Sequence, residues 1–358
     1  MSSSPFTHPS RRPSPHHSLR PQLVPPPRSR YSALALWHLL SLDAPTVATL
    51  WTIFIARCSH LHLPWTEPAA MFLAVWMIYA ADRLLDARLL DPRRLNAHPL
   101  DQMSDVHPLD AHHSVPDLEA RHRFHHRYRT AFVSVLLLGS VALAALLHHL
   151  DPRSLHLYTL LATLLAAWML FIHAHPPASG DARRLPKEIA VGLFFPAAVF
   201  IPTIARTAPT PATIHVLGWL ANWIRPTLLP SAVLFACICA LNCLCLYAWE
   251  HPTRRTEDSG PQSLVSPYEP NAARPQAHWT TRWATARLTY LALFILAAST
   301  IASVSRALPI ALPALACSLS TAGLFALNLY RRRLSPINLR AIADLVLLTP
   351  LLFLPFLR

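Results

Sequence analysis

Nine stretches of nearly uninterrupted apolar residues dominate the chain, at about 34–57, 67–85, 129–149, 154–174, 187–206, 228–249, 285–305, 307–329 and 339–357. A bilayer's hydrocarbon core of about 30 Å is crossed by about 20 residues of α-helix. In lipid every backbone N–H and C=O needs a partner within the protein, so a span is either a helix or a strand of a closed barrel. Runs this long and continuous exclude the barrel. Stretches 228–249 and 307–329 contain no Asp, Glu, Lys or Arg at all. The predicted fold is therefore an all-α integral membrane protein with about nine transmembrane helices. Residues 33–358 form one transmembrane domain, with long cytoplasmic loops at 87–128 and 250–284. Residues 1–32, rich in Pro, Ser and Arg, read as a disordered cytoplasmic arm; no apolar segment before a small-residue cleavage site marks a secretory signal there.

Composition excludes several alternatives. Only 14% of residues are charged, against about 25% in soluble domains. Six glycines are too few for a fold built on glycine-rich nucleotide-binding loops. Six cysteines in 358 residues do not make a disulfide scaffold.

The net charge of +13 sorts by side of the membrane. With the N-terminus in the cytoplasm and nine alternating helices, 24 of the 31 Lys/Arg fall on the inner side and six on the outer, with Arg83 inside a span. That asymmetry follows the positive-inside rule and places the C-terminus opposite the N-terminus. The arginines face an anionic lipid leaflet, so no nucleic-acid partner is implied. The expected location is a bacterial inner membrane.

Polar residues gather at the inner ends of the second, fourth/fifth and sixth stretches. The second closes with Tyr79, Asp82, Arg83, Asp86 and Arg88. At about 100° per residue, Asp82 and Asp86 share one helical face, and Tyr79 lies within about 60° of Asp82. Two carboxylates one turn apart can hold Mg²⁺, which completes its shell with water and substrate phosphates. The competing reading is a solvated helix end in which the two aspartates pair with Arg83 and Arg88. Between the fourth and fifth stretches, Arg183, Arg184 and Lys187 can neutralise a diphosphate; they are equally an ordinary basic flank.

On the sixth stretch Asn242 and Glu250 share a semi-polar stripe with Cys239 and Cys243. Glu250 either faces a ligand at the inner mouth or serves as an interfacial cap. The four cysteines there spread around the helix and read as small packing residues. Asp43 and Asp344 are intramembrane carboxylates. Arg340, one turn before Asp344, suggests a structural ion pair between them. Pro196, Pro202, Pro230, Pro309 and Pro313 are candidate helix breaks.

Taken together, the carboxylates closing the second and sixth helices, and the basic run after the fourth, resemble the UbiA-type superfamily of intramembrane prenyltransferases. The resemblance covers residues 34–357 in topology. Ala81 stands where that family has Asn before its first aspartate motif, and Glu250-His251-Pro252-Thr253 replaces its second. The resemblance implies a nine-helix frame with Mg²⁺ held by Asp82, Asp86 and Glu250 as catalytic carboxylates. Tyr79, Arg183, Arg184, Lys187 and Asn242 would bind an isoprenyl diphosphate, and the prenyl group would pass to an aromatic or other lipophilic acceptor within the membrane lipid. The alternative is a non-catalytic transporter or scaffold on the same helical frame.

Overall fold

The computed structural model describes residues 32–89, 124–125, 127–174, 187–207, 228–250, 279–305 and 307–357. The arm before residue 32, Arg183 and Arg184, and most of the loops at 87–128 and 250–284 lie outside the described residues. Among the described residues the regular structure is entirely helical. The helices are α1 (Ala33–Leu39), α2 (Asp43–Cys58), α3 (Thr66–Leu89), α4 (Arg129–His148), α5 (Pro152–Ala174), α6 (Lys187–Thr207), α7 (Leu229–Glu250), α8 (Trp279–Ala286), α9 (Leu288–Ser303), α10 (Leu308–Tyr330) and α11 (Pro336–Val346). Short 3₁₀ turns follow at Arg331–Arg333, Thr349–Leu352 and Leu354–Phe356.

Each apolar stretch is helical, but three are bent. α1 meets α2 at 88°, α8 meets α9 at 74°, and α11 meets the final 3₁₀ turns at 50°. Five helices are long and apolar enough to cross a membrane alone, and eight if each bent pair counts as one span. The first bend falls on Leu40–Leu42, where Ser41 takes φ 58°. Ser32 caps α1 through Ala35 N–H, and the indole of Trp76 donates to the Leu40 carbonyl at the bend.

None of the five prolines expected to break helices does so. Pro196 and Pro202 lie within α6 and Pro313 within α10; Pro230 and Pro309 each take the second position of their helix, α7 and α10. A proline inside a helix has no N–H for the carbonyl four residues earlier. At three such carbonyls a hydroxyl from another element takes that place. Tyr158 on α5 donates to the Ala198 carbonyl, left by Pro202, at 3.5 Å. Ser231 on α7 donates to the Pro309 carbonyl, left by Pro313, at 2.7 Å. Ser320 on α10 donates to the Val346 carbonyl, left by Pro350, at 3.0 Å.

α2 is the central helix, packing on α3, α6, α10 and α11, while α7 packs on α6, α9, α10 and α11. Trp51 of α2 stacks on Phe235 of α7, with ring centroids 4.2 Å apart, and donates to the Leu347 carbonyl at 2.8 Å. Two glycines allow close approach. A Cβ at Gly192 would sit 2.9 Å from Ala240 Cβ, and one at Gly323 would sit 2.5 Å from Val346 Cγ1. The exterior is apolar: Leu138 and Val141 on α4 and Phe294 and Ile301 on α9 are exposed. Soluble proteins do not carry such continuous apolar surface; an integral membrane protein presents it to acyl chains.

Candidate functional site

The α1–α2 bend sets two ionisable groups against each other. His38 stands in the last turn of α1 and Asp43 opens α2. The Asp43 carboxylate sits at a helix N-terminus, where the backbone dipole favours negative charge, and its Oδ1 accepts from Ala44 N–H at 2.9 Å. Its Oδ2 lies 2.6 Å from His38 Nδ1 and 3.7 Å from Arg83 Nη2 on α3. His38, Asp43 and Arg83 are all buried.

α11 adds a second carboxylate. Asp344 Oδ2 is 3.9 Å from His38 Nδ1, and its Oδ1 accepts from Asn242 Nδ2 of α7 at 3.0 Å. Tyr79 of α3 lies within electrostatic reach of Asp43 and Asp344, and also of Cys239 and Cys243 on α7. Five helices thus meet at one polar centre, and α3 and α7 share it. His38, Asp43 and Asp344 each offer a ligand atom, all within 4.8 Å of one another.

The centre has a definite depth. At about 1.5 Å per residue, Arg83 is about 9 Å from the Leu89 end of α3, and Asn242 is about 12 Å from the Glu250 end of α7. Asp344 is about 12 Å from the Pro336 start of α11. These are the same end of the bundle, the one whose helix ends also carry Arg129, Arg282 and Arg331–Arg333.

The residues predicted from sequence separate into three groups. Tyr79 and Asn242 belong to the polar centre. Asp82 is exposed and its neighbour Arg83 buried, and the Arg83 guanidinium stands 3.7 Å from Asp43. Glu250 lies at the end of α7, where Arg340 Nη2 meets its Oε1 at 2.6 Å. This corrects the expected ion pair of Arg340 with Asp344: the guanidinium reaches across to α7, and Asp344 bonds Asn242 instead. Asp86 and Lys187 are placed by their backbones only, in α3 and α6, and their side chains lie outside the described residues, as do Arg183 and Arg184.

For Mg²⁺, the exposed carboxylate of Asp82 is open to a hydrated ion. Glu250 has one carboxylate oxygen, Oε1, on the Arg340 guanidinium. The group among the described residues that converges on a point contains none of the three residues expected to hold Mg²⁺.

Sequence reasoning passed over His38 entirely. Its signal was a histidine five residues before an aspartate inside an apolar stretch, where ionisable groups are expensive and functional by default. It also passed over Glu67. At the opposite end of the bundle, Glu67 Oε1 accepts from Arg206 Nη2 at 2.7 Å. The Glu67 side chain is fully buried, and its Oε2 has no hydrogen-bond partner among the described residues.

Compared with protein-family models, with curated proteins and with solved structures, the chain matches none.

Proposed function

We propose that the chain is a UbiA-type intramembrane prenyltransferase. In this reading α5, at 23 residues, is a ninth span beside the eight. The observation that carries this reading is that α3 and α7, the two helices expected to close the active site, both reach one polar centre, through Arg83 and Asn242.

Depth supports the same reading against a transporter. The bent helices meeting at charged groups favour a transporter, whose discontinuous helices bind substrate near the midplane. A centre about 9–12 Å from the helix ends, in a core of about 30 Å, lies instead off the midplane, toward the arginine-rich face. By the positive-inside rule that face is cytoplasmic, the side from which a water-soluble diphosphate head enters.

In this mechanism the isoprenyl diphosphate places its head between the inner ends of α3 and α6 and its tail among the helices, in contact with lipid. Mg²⁺ held by Asp82 and Asp86, with the substrate's own phosphate oxygens, would supply positive charge at the leaving group. Arg183, Arg184 and Lys187 add fixed positive charge where the departing diphosphate becomes most negative. The C–O bond to diphosphate breaks, and Tyr79 and Trp76 present π faces to the allylic cation left behind. An electron-rich acceptor carbon attacks that cation, forming the new C–C bond, and the acceptor then loses a proton. Glu250, clamped by Arg340, ties α7 to α11 at the mouth of the site.

The test is thermal unfolding of the detergent-purified protein with farnesyl or geranylgeranyl diphosphate, in Mg²⁺ and in EDTA. A ligand that binds the native state raises its stability by mass action. The expected result is a Mg²⁺-dependent shift in the wild type that disappears in Asp82→Asn/Asp86→Asn. A wild type that no prenyl diphosphate shifts overturns the proposal and leaves the transporter or scaffold.

A further inference from the structure

We infer that His38, Asp43, Asp344 and the side-chain oxygen of Asn242 form a buried site for one divalent transition-metal ion, distinct from the Asp82/Asp86 end of α3.

Geometry is the first argument. Ligand atoms about 2.1 Å from a shared metal stand about 3.0–4.2 Å from one another in octahedral coordination. His38 Nδ1 lies 2.6 Å from Asp43 Oδ2 and 3.9 Å from Asp344 Oδ2. All three ligand atoms fall within 4.8 Å of one another, so shifts of a few tenths of an ångström bring them around one ion. The donors come from separate helices, which is how a folded bundle, and not a local motif, builds a site.

Asn242 is the second and independent argument. Its side chain is only 6% exposed. Its amide lies on the cluster, with Nδ2 on Asp344, yet its Oδ1 has no hydrogen-bond partner among the described residues. A buried carbonyl oxygen without a donor costs stability, and a cation at the cluster relieves it.

Charge is the third. Asp43 and Asp344 bring two negative charges, Arg83 returns one positive charge at 3.7 Å from Asp43, and with His38 neutral, as a metal ligand is, one negative charge is left over. A net buried charge costs several kcal/mol, so the site calls for a positively charged occupant. A proton shared by the two carboxylates would need nothing else. An imidazole nitrogen and two carboxylates within 4.8 Å of one another, beside a buried amide oxygen that the described residues leave unpaired, make the donor set of a metal. Imidazole beside carboxylates suits Mn²⁺, Fe²⁺ or Zn²⁺ better than Mg²⁺. The helix bend presents this set: Ser41, with φ 58°, turns the chain so that His38 folds back over Asp43.

The test uses the full chain in detergent, without a histidine tag, stripped with chelator and titrated with Mn²⁺. Bound Mn²⁺ is counted by electron paramagnetic resonance, with no prenyl diphosphate present, so the outcome is independent of the catalytic reading. The expected result is one tightly bound Mn²⁺ per chain, retained in Asp82→Asn/Asp86→Asn. Affinity should fall at least tenfold in His38→Gln and in Asp344→Asn, each checked for an unchanged gel-filtration profile. The many histidines outside this cluster bind weakly and are unaffected by these variants. Absence of a tight Mn²⁺ in the wild type overturns the inference, whatever the variants do. So does tight binding that His38→Gln and Asp344→Asn leave unchanged, or that only Asp82→Asn/Asp86→Asn removes.

Discussion

Replacing Ser231 with alanine removes one hydroxyl and leaves the Pro309 carbonyl without a donor. Ser231 is fully buried and donates at 2.7 Å. Side-chain hydrogen bonds between membrane helices are worth about 0.6 kcal/mol on average and up to about 1.7 kcal/mol. This acceptor cannot fall back on its own helix, because Pro313 has no N–H to offer it. The expected cost therefore lies at the upper end, about 1.5–2 kcal/mol. Pro313→Ala restores an N–H four residues along, so in that background Ser231→Ala should cost under about 0.5 kcal/mol. The assay is reversible unfolding in mixed detergent micelles of the wild type, both single variants and the double variant. An equal cost of Ser231→Ala with and without Pro313 would falsify the idea that the hydroxyl replaces the missing amide.

Two further predictions test other contacts. Arg206→Met strands the fully buried Glu67 carboxylate and should destabilise the protein by about 3 kcal/mol, the lower end for a broken buried pair. Adding Glu67→Gln should recover most of that in the same unfolding assay, and no recovery refutes the pairing. Gly323→Ala places a Cβ 2.5 Å from Val346 Cγ1 and should cost about 1–3 kcal/mol by overpacking; Val346→Ala should relieve it, and a neutral Gly323→Ala would show that α11 is not seated against α10.

The helices were legible because a membrane span announces itself within about 20 residues of local sequence. The bend at Leu40–Leu42 was not, because the apolar run continues through it without a glycine or proline, and Ser41 supplies the positive φ. The prolines misled for the opposite reason. Their cost is met by hydroxyls 40 to 78 residues away for Tyr158 and Ser231, which no local window reveals. The site divided in the same way. Helical facing had set Tyr79 beside Asp82 and Asn242 beside Glu250, and neither Asp82 nor Glu250 belongs to the polar centre. Asp43 and Asp344 were each visible as a charge in an apolar stretch, yet their convergence is tertiary. The one-turn rule assigned Arg340 to Asp344; the fold gives it a carboxylate on another helix instead.

The proline-linked hydroxyls carry a consequence for how the chain is made. Each donor precedes its acceptor in sequence: Tyr158 before Ala198, Ser231 before Pro309, Ser320 before Val346. A ribosome delivers the chain from its N-terminus. Each of these three carbonyls therefore enters the bilayer after the hydroxyl that will complete it. A segment that arrives with one unmet backbone oxygen has a reason to leave the translocation channel beside one neighbour and not another. Synthesis order and backbone chemistry together then write the assembly sequence of the bundle, α5 before α6, α7 before α10, and α10 before the final turn.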